Sequence, residues 1–169
     1  MTASRFDPQP DTGLADAPFD LPDETATAHL GAALAGLLRV GDVVALRGDL
    51  GAGKTALARA IIRARVGDPI AEVPSPTFTL LQTYDGTDGL PLAHYDLYRL
   101  DRPEDVFELD FDDALASGAT LIEWPDRLGP LLPRDRLDLT LTIAGPTARH
   151  AVLTASGLAW ADRLKSLRA

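Results

Sequence analysis

The feature that most constrains this 169-residue chain is one run of eight, Gly48-Asp49-Leu50-Gly51-Ala52-Gly53-Lys54-Thr55. It fits G-x-x-x-x-G-K-[ST], the phosphate-binding P-loop. Physical chemistry sets the spacing. A loop that wraps a phosphate chain with its backbone N–H groups must come close to it, and side chains would block the approach. The helix that follows adds free N–H groups and the positive end of its dipole. Lys54 supplies a compact ammonium for the β- and γ-phosphates, and Thr55 offers a hydroxyl to Mg²⁺. Lys54 is one of two lysines in a chain with 14 arginines. A surface cation there could as well be Arg, whereas this loop suits the point charge of Lys. The bland alternative is a Gly-rich turn that binds nothing.

The flanking sequence gives the motif its context. Val43-Val44-Ala45-Leu46 is short, apolar and Val-rich, as a buried strand is. Thr55 to Ala64 has strong helix formers, and Gly67-Asp68-Pro69 stops them. Upstream, Asp23 can cap a helix whose Leu30, Leu34, Leu37 and Leu38 form one stripe. Thr77 to Tyr84 and Leu92 to Leu97 predict an antiparallel hairpin around Asp85-Gly86-Thr87-Asp88-Gly89. A broken helical patch runs from Asp101 to Ser117. Ala119 to Trp124 is a short strand with an acid near its end, and Leu137 to Ile143 alternates as a half-buried strand. Ala151-Val152-Leu153 can pair with that strand, and Leu158 to Leu167 closes the chain as a helix. Residues 1–21, with Pro8, Pro10, Pro18 and several Asp, read as a flexible arm before one domain over 22–169. The expected fold class is α/β: a single-domain P-loop NTPase fold, with a mixed parallel and antiparallel sheet and helices on both faces.

A P-loop does not name a reaction. Chemistry also needs an acid for metal or water, a sensor for the γ-phosphate and a seat for the base. Asp96 and Glu123 compete for the first role, because acids at C-terminal strand ends face the ligand side of an open α/β sheet. Either could instead be a surface carboxylate or an ion-pair partner. Ser75-Pro76-Thr77-Phe78-Thr79 holds hydroxyls in a Pro-stiffened loop at a switch-like position, and it reads equally as the start of a strand. The chain has no Asn, so it lacks the Asn-Lys-x-Asp element of guanine-specific GTPases, which favours ATP.

Composition excludes other classes. Zero Cys removes disulfides, thiolate metal sites and Cys nucleophiles. His29, His94 and His150 lack ligand spacing, which argues against zinc. A net charge of −9 argues against autonomous binding to RNA or DNA. No apolar run approaches about 18 residues, so no membrane span is expected and the cytoplasm is the default.

Four motifs together carry a family resemblance: Gly-Asp-Leu-Gly-Ala-Gly-Lys-Thr at 48–55, Ser-Pro-Thr-Phe-Thr at 75–79, His-Tyr-Asp-Leu-Tyr-Arg-Leu at 94–100 and Ile-Glu-Trp at 122–124. In order and spacing the chain resembles the TsaE (YjeE) family from about Leu21 to Leu164. The resemblance implies a small, weak ATPase that works with TsaB and TsaD. That complex makes N6-threonylcarbamoyladenosine at position 37 of tRNAs reading ANN codons, and tRNA is met only through the complex. It implies that Gly51, Ala52, Gly53, Lys54, Thr55 and Ala56 hold the phosphates of ATP. Thr55, Glu123 and Asp96 serve Mg²⁺ or water, and Thr77 meets the γ-phosphate. By the same resemblance Trp124 packs beside the site or faces the partner, Thr25 approaches the adenosine, and Arg149 reaches phosphate. The chain departs from the pattern in its longer N-terminal arm and at Asp110-Phe111, where Leu-Gly is expected. Two other functions stay open on the residues alone. One is a small-molecule kinase, for which Arg134 and Arg136 are thin support. The other is a nucleotide-gated interaction module in which hydrolysis is incidental.

Overall fold

The computed structural model describes residues 14–168. Seven strands form one sheet in the order β1-β7-β6-β2-β5-β4-β3. They are β1 (Leu14–Leu21), β2 (Val43–Arg47), β3 (Leu81–Asp85), β4 (Pro91–Asp96), β5 (Ala119–Glu123), β6 (Arg136–Ile143) and β7 (Arg149–Ser156). β2 is parallel to both β5 and β6, and β4 is parallel to β5. The flanking pairs β6/β7, β1/β7 and β3/β4 are antiparallel. The sheet is therefore mixed, as the strand patterns predict.

Both faces of the sheet are covered. One core joins Val44 and Leu46 of β2 and Leu121 of β5 to α1 (Glu24–Leu37), α2 (Lys54–Val66) and α4 (Leu158–Arg168). The other joins Val43, Tyr95 and Ile122 to α3 (Phe111–Ser117) and two 3₁₀ helices, Pro103–Leu109 and Pro125–Leu131. Successive residues of β2 and β5 alternate between these cores, which explains why the strands read as continuous apolar runs. Each fully buried Leu, Val or Ile contributes roughly 1.5–3 kcal/mol. On α1, the Asp23 carboxylate accepts the Ala26 N–H at 2.8 Å, and Leu30 and Leu34 are buried. Gly31 lets α1 lie close on α2; a Cβ there would stand 2.5 Å from the Ala60 Cβ.

Two sequence expectations need correction. Residues 14–21 of the expected arm are strand β1, paired along β7. Ala17 and Leu21 point inward and are buried, while Pro18 and Asp20 are exposed. Proline is tolerated because β1 is an edge strand. The remainder of that arm, residues 1–13, lies outside the described residues. The hairpin strand begins at Leu81, not Thr77; residues 77–79 form a turn that ends at Leu80 with φ 65°. The helical patch after Asp101 is broken, as its sequence suggests, and the break falls at Asp110, whose φ of 53° is the left-handed conformation that Gly takes most easily. Phe111 then fills the second core and meets Tyr95 edge to face, with ring centroids 5.5 Å apart.

Candidate nucleotide-phosphate site

Residues 48–53 leave the C-terminal end of β2 and enter α2, so the loop lies where strand order reverses on either side of β2. Gly48 has φ 145°, and a Cβ on it would stand 2.6 Å from the Leu141 carbonyl oxygen. No other residue fits there without moving β6. Gly53, at φ 105°, caps α2 with no side chain in the way.

Lys54 is 4% exposed. Its Nζ donates to the carbonyl oxygens of Gly48 (2.7 Å) and Asp49 (2.8 Å) and lies 4.2 Å from the Trp124 ring centroid. Burial lowers its pKa, against the attraction of Glu123, Asp96 and Asp49. Trp124 reaches this position because its backbone is left-handed, at φ 57°, where β5 turns into the 3₁₀ helix. Tyr98 packs on the same indole, with ring centroids 5.1 Å apart.

Asp96 and Glu123 are neighbours in the β4/β5 register and both are buried. Glu123 Oε1 accepts the Thr55 hydroxyl at 2.7 Å. Asp96 Oδ2 accepts the Thr77 hydroxyl at 3.1 Å, and its Oδ1 accepts the Tyr98 N–H at 3.1 Å. Thr77 Oγ1 is also 2.7 Å from Ser75 Oγ. The fold thus gathers Lys54, Thr55, Thr77, Asp96, Glu123 and Trp124 from four separate segments. The oxygen donors Thr55, Glu123 and Asp96 form the hard set that Mg²⁺ prefers, and a P-loop cation takes its remaining ligands from water and phosphate. The structure passes that test through the Thr55–Glu123 contact, which brings a hydroxyl and a carboxylate together at the start of α2.

Beside the loop, a cleft of about 640 Å³ runs between α1 and α2. Ala52, Gly53, Ala56 and Arg149 line its loop end, and Arg59 and Arg63 line its side. Thr25 is exposed and does not line the cleft; Glu24, Thr27 and Ala28 do so from the same helix. Arg149 is not free to grip phosphate with its whole guanidinium. Its Nε donates to the Ala52 carbonyl (2.9 Å), Nη2 to that of Gly51 (3.3 Å) and Nη1 to that of Ala148 (2.9 Å). It holds the Gly51 and Ala52 carbonyls on its own side of the loop, while the Ala52 N–H donates to the Asp49 carbonyl at 3.0 Å. Charge-assisted bonds of this kind contribute about 1.5–3 kcal/mol, so Arg149→Ala is expected to weaken ADP binding about tenfold. Equilibrium titration checks this; affinity within a factor of two of wild type would show that the loop keeps its shape unaided.

One contact at the site escapes sequence reasoning. His94 Nε2 lies 2.8 Å from Glu123 Oε2, a contact visible only once β4 and β5 are in register. Arg136, weighed as a kinase lid residue, lies in β6 and pairs with Asp138, away from the loop's mouth.

A sequence profile described as "Threonylcarbamoyl adenosine biosynthesis protein TsaE" matches residues 21–151. The chain belongs to the TsaE family. A TsaE protein of Streptomyces coelicolor is 41% identical over 142 residues, 79% of this chain and 93% of the relative. One from Bacillus subtilis is 39% identical over 138 residues, covering 80% and 82%. One from Rickettsia felis is 42% identical over 129 residues, covering 76% and 74%. All three are named tRNA threonylcarbamoyladenosine biosynthesis proteins. The crystal structure of Bacillus subtilis YdiB superposes with TM-score 0.69 at 28% identity, over 90% of this chain and 91% of that one. TsaE is a nucleotide-binding P-loop family, and the glycine-rich loop of this chain lies within the matched residues. Among the described residues, no helix is long and apolar enough to cross a membrane.

Proposed function

We propose that this chain is the weak ATPase of a cytoplasmic complex with TsaB and TsaD that forms N6-threonylcarbamoyladenosine at position 37 of tRNAs reading ANN codons. One observation carries the ATPase part: Thr55 of the P-loop helix touches Glu123 of β5, while Lys54 and Asp96 flank the same point. Family membership supports the tRNA pathway. The acidic composition fits a subunit that leaves tRNA to its partners.

On this reading the loop N–H groups of Gly51 to Ala56 bind the phosphates. Lys54 leaves the Gly48 and Asp49 carbonyls for the β- and γ-phosphate oxygens. The nucleoside lies in the cleft beside Ala56, with Arg59 and Arg63 along its side. Thr55, Glu123 and Asp96 would hold Mg²⁺, which would neutralise phosphate charge there. Glu123 and Asp96 orient a water on the γ-phosphorus. Its oxygen bonds to phosphorus as the bond to the β-phosphate oxygen breaks, giving ADP and phosphate. Thr77, held by Asp96, faces the γ-phosphate. Positioning and electrostatics carry such reactions, with little covalent work for the protein.

Steady-state hydrolysis of ATP, alone and with TsaB–TsaD, tests the reading. Slow turnover that rises with the pair is expected. In Lys54→Ala it should fall to the uncatalysed level, at least about 10²-fold. Turnover that the pair leaves unchanged would overturn the assignment.

A further inference from the structure

The Glu123 carboxylate is held at both ends. Thr55 Oγ1 donates to Oε1 at 2.7 Å, and behind it His94 Nε2 lies 2.8 Å from Oε2. His94 is fully buried and Glu123 is 2% exposed. The ring sits on the same face of β4 as Asp96, two residues before it. Leu121 on one side of it in the sheet and Leu92, two residues earlier, belong to the apolar core, and Gln82 of β3 stands opposite it on the other side. His94 Nδ1 is buried and has no hydrogen-bond partner.

That last fact sets the tautomer. A proton on Nδ1 would be a buried donor with nothing to receive it, and such a group is costly. The ring proton therefore sits on Nε2, where Glu123 Oε2 accepts it. A buried polar pair in an apolar core is a poor source of net stability; a well-packed apolar residue would serve as well or better. What the pair does supply is direction. With Oε2 fixed, the carboxylate cannot rotate Oε1 away from Thr55. Partners of this kind behind a working carboxylate or imidazole commonly matter by one to two orders of magnitude.

We propose that His94 is a positioning residue for the nucleotide reaction: it donates Nε2–H to Glu123 Oε2 and so holds Oε1 against Thr55. The proposal rests on Glu123 being a working acid of the site, as argued above.

The test joins a spectrum, a rate and an affinity. In the chain without nucleotide or metal, ¹⁵N-labelled histidine should show the Nε2–H tautomer for His94. His94→Leu should lower ATP turnover with TsaB–TsaD by roughly 10–100-fold. Its affinity for ADP, measured with EDTA present, should stay within about threefold. In His94→Gln the side-chain amide can donate from nearly the same place, and it should recover most of the rate. An Nδ1–H ring, a Leu variant at wild-type rate, or Leu and Gln variants that are equally slow would overturn the proposal. Should the Leu variant fail to fold, the ring spectrum and the Gln variant still decide. A wild-type chain that hydrolyses no ATP overturns the ATPase reading and this proposal with it. An active wild type beside an equally active Leu variant overturns the His94 role alone.

Discussion

Glu123→Gln is expected to slow ATP hydrolysis by roughly 10²–10³-fold while nucleotide affinity stays within about threefold. The two side chains have nearly the same shape, so the packing at the end of β5 should survive. The charge does not survive, and the hydrogen bonds are no longer all compatible. Glu123 takes donors at both oxygens, Thr55 at Oε1 and His94 at Oε2. An amide N–H at the Oε2 position would face the Nε2–H of His94, donor to donor. The ring could then match it only by moving its proton to Nδ1, which has no partner. With the amide turned the other way, its N–H₂ replaces the acceptor that Thr55 uses. Either arrangement removes a negative oxygen from the point where water must be oriented. Phosphate binding should persist, because the loop N–H groups and Lys54 are untouched. Single-turnover rates and titration with a non-hydrolysable ATP analogue separate the two quantities. A rate within twofold of wild type would shift the working acid to Asp96.

The P-loop and its flanking elements were legible in the sequence because their information is local. Loop glycines at positive φ, a Val-rich strand before them and a helix after them all lie within about thirty residues. Glu123 and Asp96 were legible as acids at strand ends, since the side of an α/β sheet that meets ligand follows from strand direction. The part that stayed hidden depends on register. His94 and Glu123 are 29 positions apart, and Arg149 meets Ala52 across 97. No periodicity encodes either contact. β1 was hidden for a different reason: three prolines and several aspartates over residues 1–21 give a disordered composition, yet Ala17 and Leu21 alternate inward along β7. An edge strand tolerates Pro18, so composition misleads there. At Thr77 local pattern loses to geometry. Its alternation fits a strand, but the hydroxyl is turned to Asp96 by a tight turn ending at Leu80.

The second large effect concerns stability, at the opposite end of β2 from the phosphate loop. Asp42 stands just before that strand, and Arg163 reaches it from α4. The guanidinium grips the carboxylate with two bonds, Nη1 to Oδ2 at 2.6 Å and Nη2 to Oδ1 at 2.8 Å. Arg163 also donates to the carbonyl oxygens of Leu37 (2.7 Å) and Ala159 (2.9 Å) and lies 4.0 Å over the Trp160 ring. Asp42 Oδ2 accepts the Arg39 N–H at 2.7 Å, which fastens the turn after α1. Both side chains are less than a tenth exposed. Removing one partner strands a buried charge, so Asp42→Ala should cost about 3–5 kcal/mol. For a domain of this size that is a fall in Tm of about 6–20 °C. Arg163→Leu should destabilise for the same reason, though Asp42 keeps the Arg39 N–H and the loss should be the smaller. The double variant should recover part of the Asp42→Ala loss, because no charge is then left alone in the core. Thermal and urea unfolding of the two single variants, the double and the wild type closes the cycle. Strictly additive losses would show that the pair is not coupled. Turnover at a temperature where all four chains stay folded should match wild type, because this pair braces α1 and α4 and touches nothing at the mouth of the loop.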